Sequence, residues 1–179
     1  PTFNSYKKLK RFKKSLYSQT FQNWRVIFID ADSTKDHKDW INSCVDLDKR
    51  FLVYEESNDR KGIYPSMSFG AKFAKKNDWT IFLGSDDWFS SINSLSFIAN
   101  TISHNLQEMN QKLIICGTQF INNNNLLRLN NIPNLKFTSN NNLAKLIYFG
   151  YVPTHQSLCF SQDLLKKLMP YSTKYNLAA

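Results

Sequence analysis

The stretch that most constrains the fold is residues 79–89, WTIFLGSDDWF. Residues 80–83 form a short run of apolar and β-branched side chains that ends at a glycine, which predicts a buried strand. Asp86 and Asp87 follow at once. Adjacent carboxylates repel each other and are costly to bury, so they favour a partner of opposite charge. Because carboxylate oxygens are the ligands that Mg²⁺ and Mn²⁺ prefer, the pair indicates a metal site; a turn that caps the next helix is the alternative.

The first half of the chain alternates strands with helices. Continuous apolar runs at 26–29 and 51–54 predict two further buried strands. Helices are predicted after a cap at Asn4 or Ser5, over 36–45, and around Pro65 with a narrow apolar stripe that extends to Ala74. Strands and helices in this order are typical of a layered α/β fold.

The second half carries weaker patterns. We expect a helix over 93–109, a strand over 113–116, a helix over 143–149, a strand over 157–160, and a helix over 162–168 that Pro170 ends. Asparagine clusters at 122–125, 130–131 and 140–142 favour turns over regular elements.

Acidic loops follow three of the predicted strands: Asp30 and Asp32 after the first, Asp59 after the second, and the 86–87 pair after the third. The carboxyl ends of parallel strands meet at one edge of a sheet, so these acids are expected to share a cleft. The protein as a whole has a formal net charge of +9. An acidic cleft in a basic protein indicates an anionic ligand bridged by a metal.

Composition limits the class of protein. A chain of 179 residues with 42% hydrophobic residues supports one globular domain, which we expect to span 1–179. Cys44, Cys116 and Cys159 show no metal-ligand spacing and leave an odd thiol, which predicts a reducing, cytoplasmic setting. No apolar run approaches the ~20 residues of a membrane span.

Five segments stand out in order along the chain: PTFN at 1–4, QTFQNWRVIFIDADSTKD at 19–36, ESNDRKGIYPSMSFGAKFAK at 56–75, FLGSDDWF at 82–89 and THQS at 154–157. In this order they resemble the motifs of the family 2 glycosyltransferases, which have the GT-A fold. The likeness is closest to the branch that builds bacterial cell-surface polysaccharides. The resemblance implies a three-layer α/β/α fold with a mostly parallel mixed sheet.

The resemblance also assigns roles to single residues. Asp87, with Asp86, would bind Mn²⁺ or Mg²⁺, and His155 with Gln156 would lie on the sugar or acceptor side of the cleft. The nucleotide pocket is assigned to a larger set of side chains: Thr2, Phe3, Asn4, Asp30, Asp32, Asp59, Lys61 and Asp86. The family's strand before Pro1 and the acid that serves as general base after Ala179 are expected to lie outside this segment.

Several positions depart from the family pattern, and Gly84 is one of them, since it stands where Asn is common. Ala31 replaces a second acid after the strand, and Pro65 and Ser68 replace an Asp and an Asn of the next helix.

The resemblance predicts an inverting transferase that moves a sugar from a nucleotide-diphosphate donor to a saccharide or lipid-linked acceptor. A nucleotide-sugar binder that has lost catalysis is the alternative.

The positive charge suggests two further partners. The lysine-rich first helix could contact an anionic membrane, which would locate the protein at the inner face of that membrane. A nucleic-acid-binding module is disfavoured, because the strand aromatics sit in apolar runs and not among basic residues, so no nucleic acid is expected.

Overall fold

The computed structural model describes residues 1–56, 62–108, 112–122, 125–130 and 153–172, without the side chains of 105–108, 122 and 125–130. The helices are α1 Tyr6–Tyr17, α2 Lys35–Leu47, α3 Ile63–Ala71, α4 Ser94–Glu108 and α5 Gln162–Leu168. The strands are β1 Val26–Asp30, β2 Phe51–Glu55, β3 Trp79–Ile81, β4 Leu113–Ile115, β5 Thr118–Asn122, β6 Asn125–Asn130 and β7 Leu158–Ser161. A 3₁₀ turn, His155–Ser157, precedes β7.

The strands pair in three groups. β1 and β2 are parallel, from Val26 opposite Phe51 to Asp30 opposite Glu55. β7 lies between β3 and β4 and is antiparallel to both. β5 and β6 form an antiparallel hairpin. Helices alternate with strands from α1 to β4, which confirms the predicted α/β fold.

The amphipathic pattern of α1 builds the first core. Leu9, Phe12 and Leu16 are buried on one face of the helix, and they pack with residues of β1, α2 and β2. Within this core the rings of Phe28 and Phe51 are stacked with their centroids 5.9 Å apart. This core fixes α1 against α2 and the β1–β2 pair.

A close helix–sheet contact forms the other side of β1. A Cβ placed on Gly70 of α3 would lie 3.2 Å from Ile29 Cγ1, which is tighter than ordinary van der Waals contact. The small residue therefore permits the near approach that the apolar stripe of this helix predicts. Met67 of the same helix is buried in a second core with Phe82 and Phe160.

Three elements differ from the sequence-based expectations. β3 ends at Ile81 and not at residue 83. In the antiparallel register that pairs Ile81 with Cys159, residue 83 would lie opposite Ser157, which belongs to the 3₁₀ turn before β7 and not to the strand. α3 ends at Ala71, where i→i+3 hydrogen bonds such as Ala74 N to Ala71 O tighten the chain. The β5–β6 hairpin joins residues that the asparagine pattern left as turns.

Two further expectations concern the helices. Ser5 is the N-cap of α1, but its side chain makes no capping bond and instead lies 2.9 Å from Thr2 Oγ1. The helix predicted over 143–149 lies outside the described residues. No helix in the described part of the chain is long and apolar enough to cross a bilayer.

A cavity of about 700 Å³ opens between β1 and β3. Its walls are largely apolar and include Ile27, Ile29, Phe28, Met67 and Phe82. β1 pairs along its whole length with β2, whereas on its other edge the described chain provides only one bridge, from Thr2 to Asp30. Apart from that bridge, this edge of β1 has no strand partner among the described residues, and we call the open edge with its cavity the slot beside β1.

Candidate active site

Two loops, residues 2–5 and residues 30–33, meet at the carboxyl end of β1 and are joined by hydrogen bonds. Asn4 N donates to Ser33 Oγ at 2.9 Å, and Thr34 N donates to Asn4 Oδ1 at 2.8 Å. Asn4 and Asp32 both adopt left-handed backbone conformations, with φ of 45° and 56°. Short polar residues tolerate this region best, and such strain clusters at functional sites. The loops 2–5 and 30–33 therefore form one preorganised unit.

Asp30 holds this unit together from below. Its side chain is buried, and Oδ2 accepts from Ser33 N at 3.0 Å while Oδ1 accepts from Ser33 Oγ at 2.6 Å. Glu56 N donates to the main-chain oxygen of Asp30 at 2.8 Å, so the end of β2 meets the same point. Both carboxylate oxygens thus support the loop from inside; a direct contact between Asp30 and a ligand stays a prediction.

The buried His37 of α2 completes the support, and sequence analysis missed it. Ser5 N donates to His37 Nδ1 at 3.0 Å, so the proton of the neutral ring sits on Nε2. Nε2 lies 3.0 Å from Thr2 Oγ1 and 3.4 Å from Asp30 Oδ1. Burial lowers the pKa of His37, and the Asp30 carboxylate partly opposes that shift. The sequence could have indicated His37 through its position, because its spacing puts it on the same inward face of α2 as the apolar Ile41 and Cys44.

Other side chains of the 2–5 and 30–33 loops face solvent. Phe3 is 60% exposed, and Asp32 is an exposed carboxylate 2.9 Å from Lys38 Nζ. The structure therefore brings the predicted residues of the 2–5 and 30–33 loops together, with an aromatic face open at the surface. Asp59 and Lys61 lie outside the described residues.

Asp87 sits in a tight turn after β3. Its Oδ2 accepts from Gly84 N at 2.6 Å, and its own N–H donates to Gly84 O at 3.1 Å. A Cβ on Gly84 would lie 3.0 Å from Asp87 Oδ2 and 3.2 Å from Asp86 Oδ1. The glycine therefore makes room for both carboxylates.

The electrostatics of the pair differ between its two members. Burial raises the pKa of Asp87; the Gly84 N–H and the Gln156 side chain act against that shift, whereas the charge of Asp86 adds to it. Asp86 is exposed and lies 3.4 Å from Lys8 Nζ of α1. Such an exposed ion pair is weak and screened by salt. Asp87 is thus a partly desolvated carboxylate with no cation paired to it among the described residues.

These residues fit a divalent cation that is shared with a ligand. The described residues contain no group of three or more His, Cys, Asp or Glu side chains that could hold a metal by themselves. One or two carboxylates, with water and substrate phosphates as the remaining ligands, form the usual Mg²⁺ arrangement. Asp87 and Asp86 provide that donor set.

His155 lies beside this turn. Its ring packs against Phe82 and Tyr171, at centroid distances of 5.8 and 5.9 Å, and burial lowers its pKa. Its Nε2 atom is buried and has no hydrogen-bond partner among the described residues. The next residue, Gln156, bonds to Asp87. A buried polar atom without a partner requires an explanation, and a bound ligand would supply one.

A family model named glycosyl transferase family 2 matches residues 1–161. The chain belongs to glycosyl transferase family 2. A search of curated proteins gave no match.

Solved structures similar to this family 2 domain show its fold. The crystal structure of TarS 1–349 from S. aureus is 19% identical with a TM-score of 0.64, and the match covers 93% of this chain and 47% of that one. A mannosyltransferase, PcManGT from Pyrobaculum calidifontis, in complex with GDP-Man and Mn²⁺, is 13% identical with a TM-score of 0.65, covering 97% of this chain and 46% of that one. The chain therefore spans about half the length of these structures and shares their GT-A fold.

The family assignment confirms the resemblance found in the sequence. The structure brings the paired acids together with Gln156 and His155, and an exposed ion pair links Asp86 to Lys8 of α1, the helix that follows the 2–5 loop. Asp163 is exposed in the first turn of α5, 3.8 Å from Lys112 Nζ.

Proposed function

We propose that this family 2 domain transfers a sugar from a nucleotide-diphosphate donor to a saccharide or lipid-linked acceptor, with inversion and with Mn²⁺ or Mg²⁺. The observation that carries the proposal is the environment of Asp87, a partly desolvated carboxylate in the turn after β3 that is hydrogen-bonded to Gln156. The neighbouring His155 has a buried Nε2 atom with no hydrogen-bond partner among the described residues. A metal-bridged diphosphate beside the reacting sugar needs a carboxylate in this position.

The 2–5 and 30–33 loops would bind the nucleoside. Phe3 offers an exposed aromatic face against which a base can stack, and the hydrogen bonds of Asn4 hold that loop in place before the ligand arrives. Ala31 lacks a carboxylate, so Asp32 is the first exposed acid that follows Phe3 along the chain. Preorganisation of this kind lowers the ordering cost of binding.

The acids after β3 would receive the diphosphate. Bound there, a divalent cation would neutralise the diphosphate and make it a better leaving group. Asp87 is held by the Gly84 N–H and by Gln156, so its position is set by the protein. Asp86 is turned toward solvent, where it can contact the ribose or the water shell of the cation.

The buried Nε2 of His155 would donate to or accept from the sugar or the acceptor. Its lowered pKa keeps the ring neutral near pH 7, so it can act as a hydrogen-bond partner without adding charge. A carboxylate base would take the proton from the acceptor hydroxyl, and we propose that it comes from outside the described residues.

A nucleotide-sugar binder without transfer is the second candidate. The described residues offer no third acid grouped with the Asp86–Asp87 pair, so the observed part of the site explains donor binding more completely than catalysis. The two candidates differ in turnover and not in affinity.

A donor screen with a turnover arm separates them. UDP-, GDP- and dTDP-sugars are compared by thermal shift in Mn²⁺ and in EDTA, for the wild type, for Asp87→Asn and for the matched surface control Asp163→Asn. We expect one nucleotide class to stabilise the wild type and the control in Mn²⁺ only. Release of the nucleoside diphosphate from that donor, measured with a mixture of saccharide and lipid-linked acceptors, supports the transferase. Binding without release supports the binder, and no metal-dependent stabilisation contradicts both.

A further inference from the structure

The outward face of α1 is a continuous row of cations. Lys7, Lys10, Arg11 and Lys14 are all exposed and follow the spacing i, i+3, i+4, i+7, so they lie along one stripe of the helix. The opposite face carries the buried Leu9, Phe12 and Leu16. α1 contains no acidic residue, so it carries no internal charge pairing. We call this stripe the basic face.

The cations of the basic face are not neutralised by the rest of the described structure. No described acid forms an ion pair with any of the four. Lys10 Nζ lies 5.6 Å from the ring centroid of Tyr6, and the Arg11 guanidinium stacks 3.4 Å above the Trp88 ring. Like charges along one helix face repel, so the arrangement costs stability unless an anionic partner uses it.

Large apolar side chains are exposed near the C-terminal end of the same helix. Thr20 N donates to Ile92 O at 2.8 Å, which holds the loop of Ile92 against the end of α1. Ile92 is 56% exposed, and Tyr17 in the last turn is 42% exposed. A row of cations beside exposed aliphatic and aromatic groups is the composition of helices that lie at a membrane interface.

We propose that the basic face of α1, with Ile92 and Tyr17, docks on a lipid bilayer that carries anionic headgroups. The cations would lie along the surface, and the Ile92 side chain would enter the headgroup region, while the exposed edge of Tyr17, whose ring packs against Trp24 and Phe51, would lie at the interface. Each cation near an anionic bilayer is worth about 1 kcal/mol, or about fivefold in affinity. An RNA partner would use aromatic stacking and would gain nothing from the aliphatic Ile92, so the bilayer is the better match.

The docking surface adjoins the candidate active site. Lys8, which flanks the basic face, contacts Asp86, and Arg11 stacks on Trp88, the residue after Asp87. Docking would therefore bring the metal-binding carboxylates close to the bilayer. That placement suits a lipid-linked acceptor, a consequence which rests on the proposed function, whereas membrane binding itself does not.

Vesicle co-sedimentation of the protein without nucleotide tests the proposal. Phosphatidylcholine vesicles are compared with vesicles that contain about one-third phosphatidylglycerol. We expect binding to the anionic vesicles only, weakened by salt because exposed charges are screened. The variant Lys7→Gln/Lys10→Gln/Lys14→Gln should bind about 100-fold more weakly, from three charges at about fivefold each. Glutamine keeps the helix propensity of lysine, and circular dichroism checks that the helix is retained.

A matched variant distinguishes the basic face from net charge alone. Lys49→Gln/Lys72→Gln/Lys76→Gln removes the same charge from exposed lysines outside α1 and should bind vesicles like the wild type. Ile92→Ser should weaken binding without any change of charge. Equal losses in the two triple variants, unchanged binding by the α1 variant, or binding to single-stranded RNA but not to anionic vesicles would each overturn the proposal. UDP affinity is measured in parallel, so a failure of membrane binding is distinguished from a failure of the nucleotide site.

Discussion

Replacement of His37 by leucine should destabilise the fold and loosen the candidate nucleotide pocket together. The ring is fully buried and accepts from Ser5 N, while its Nε2 donates toward Thr2 Oγ1. Leucine leaves the Ser5 N–H without an acceptor, which costs about 1–3 kcal/mol for a buried donor. Thr2 keeps its contact with Ser5 Oγ, so the loss falls mainly on one bond. His37→Asn retains an acceptor near the position of Nδ1 and should recover part of the stability.

The pH dependence gives a second readout of the same residue. Burial holds the pKa of His37 below its ordinary 6.5, so the folded protein favours the neutral ring. Its contribution to stability is complete above pH 6.5 and is lost as pH falls from 6.5 toward the lowered value. The slope is at most about 1.4 kcal/mol per pH unit for one histidine. Protonation also places an N–H on Nδ1 opposite the Ser5 N–H, where both groups would be donors.

Urea unfolding at about pH 7.5 and about pH 5.5 measures both effects. His155 also has a lowered pKa and contributes its own acid sensitivity, so the comparison of wild type with His37→Asn isolates one share. We expect the asparagine variant to lose less stability on acidification than the wild type does. The same pH slope in both proteins, or a leucine variant as stable as the wild type with unchanged UDP affinity, would refute the role given to His37.

Three further outcomes follow from the structure. Gly84→Ala places a Cβ 3.0 Å from Asp87 Oδ2, so Mn²⁺-dependent nucleotide affinity should fall about tenfold or more, by titration calorimetry; unchanged affinity would contradict the tight turn. Extension of the chain before Pro1 by ~6–8 residues of strand character should fill the slot beside β1 and raise the thermal unfolding temperature, and an extension with a scrambled polar sequence should not. Asp163→Asn should leave turnover nearly unchanged, because this exposed carboxylate lies in the first turn of α5 beside Lys112, whereas loss of a general base costs ~10²-fold or more; elimination of transfer with donor binding intact would make it the base.

Local sequence patterns predicted the elements that depend on local causes. The apolar runs of β1 and β2 are long enough to identify buried strands without knowledge of their partners. Asp86 and Asp87 stand out because a strand end followed by two acids is visible in a few residues. The family motifs then supplied the order of the remaining elements.

Features that depend on distant contacts were not predictable in this way. The length of β3 is set by where β7 begins, almost 80 residues later in the chain, and the β5–β6 hairpin is set by pairing between asparagine-rich segments. The importance of His37 arises only when the 2–5 loop crosses α2, which places Ser5 N on its ring. The internal hydrogen bonds of Asp30 likewise depend on the fold of the 30–33 loop.

Calorimetric titration of UDP in Mn²⁺ and in EDTA, on the wild type, Asp87→Ala and Asp163→Ala, tests the central claim most directly. The account predicts that Mn²⁺ tightens UDP binding about tenfold or more for the wild type and for the Asp163 control. Asp87→Ala should bind UDP with the same affinity in both buffers while keeping the wild-type circular dichroism spectrum. GDP and dTDP are titrated in the same way, since the base is not assigned. Equal affinity in Mn²⁺ and EDTA for every nucleotide bound by the wild type, or metal dependence that survives Asp87→Ala, would contradict the assignment of this carboxylate to the metal.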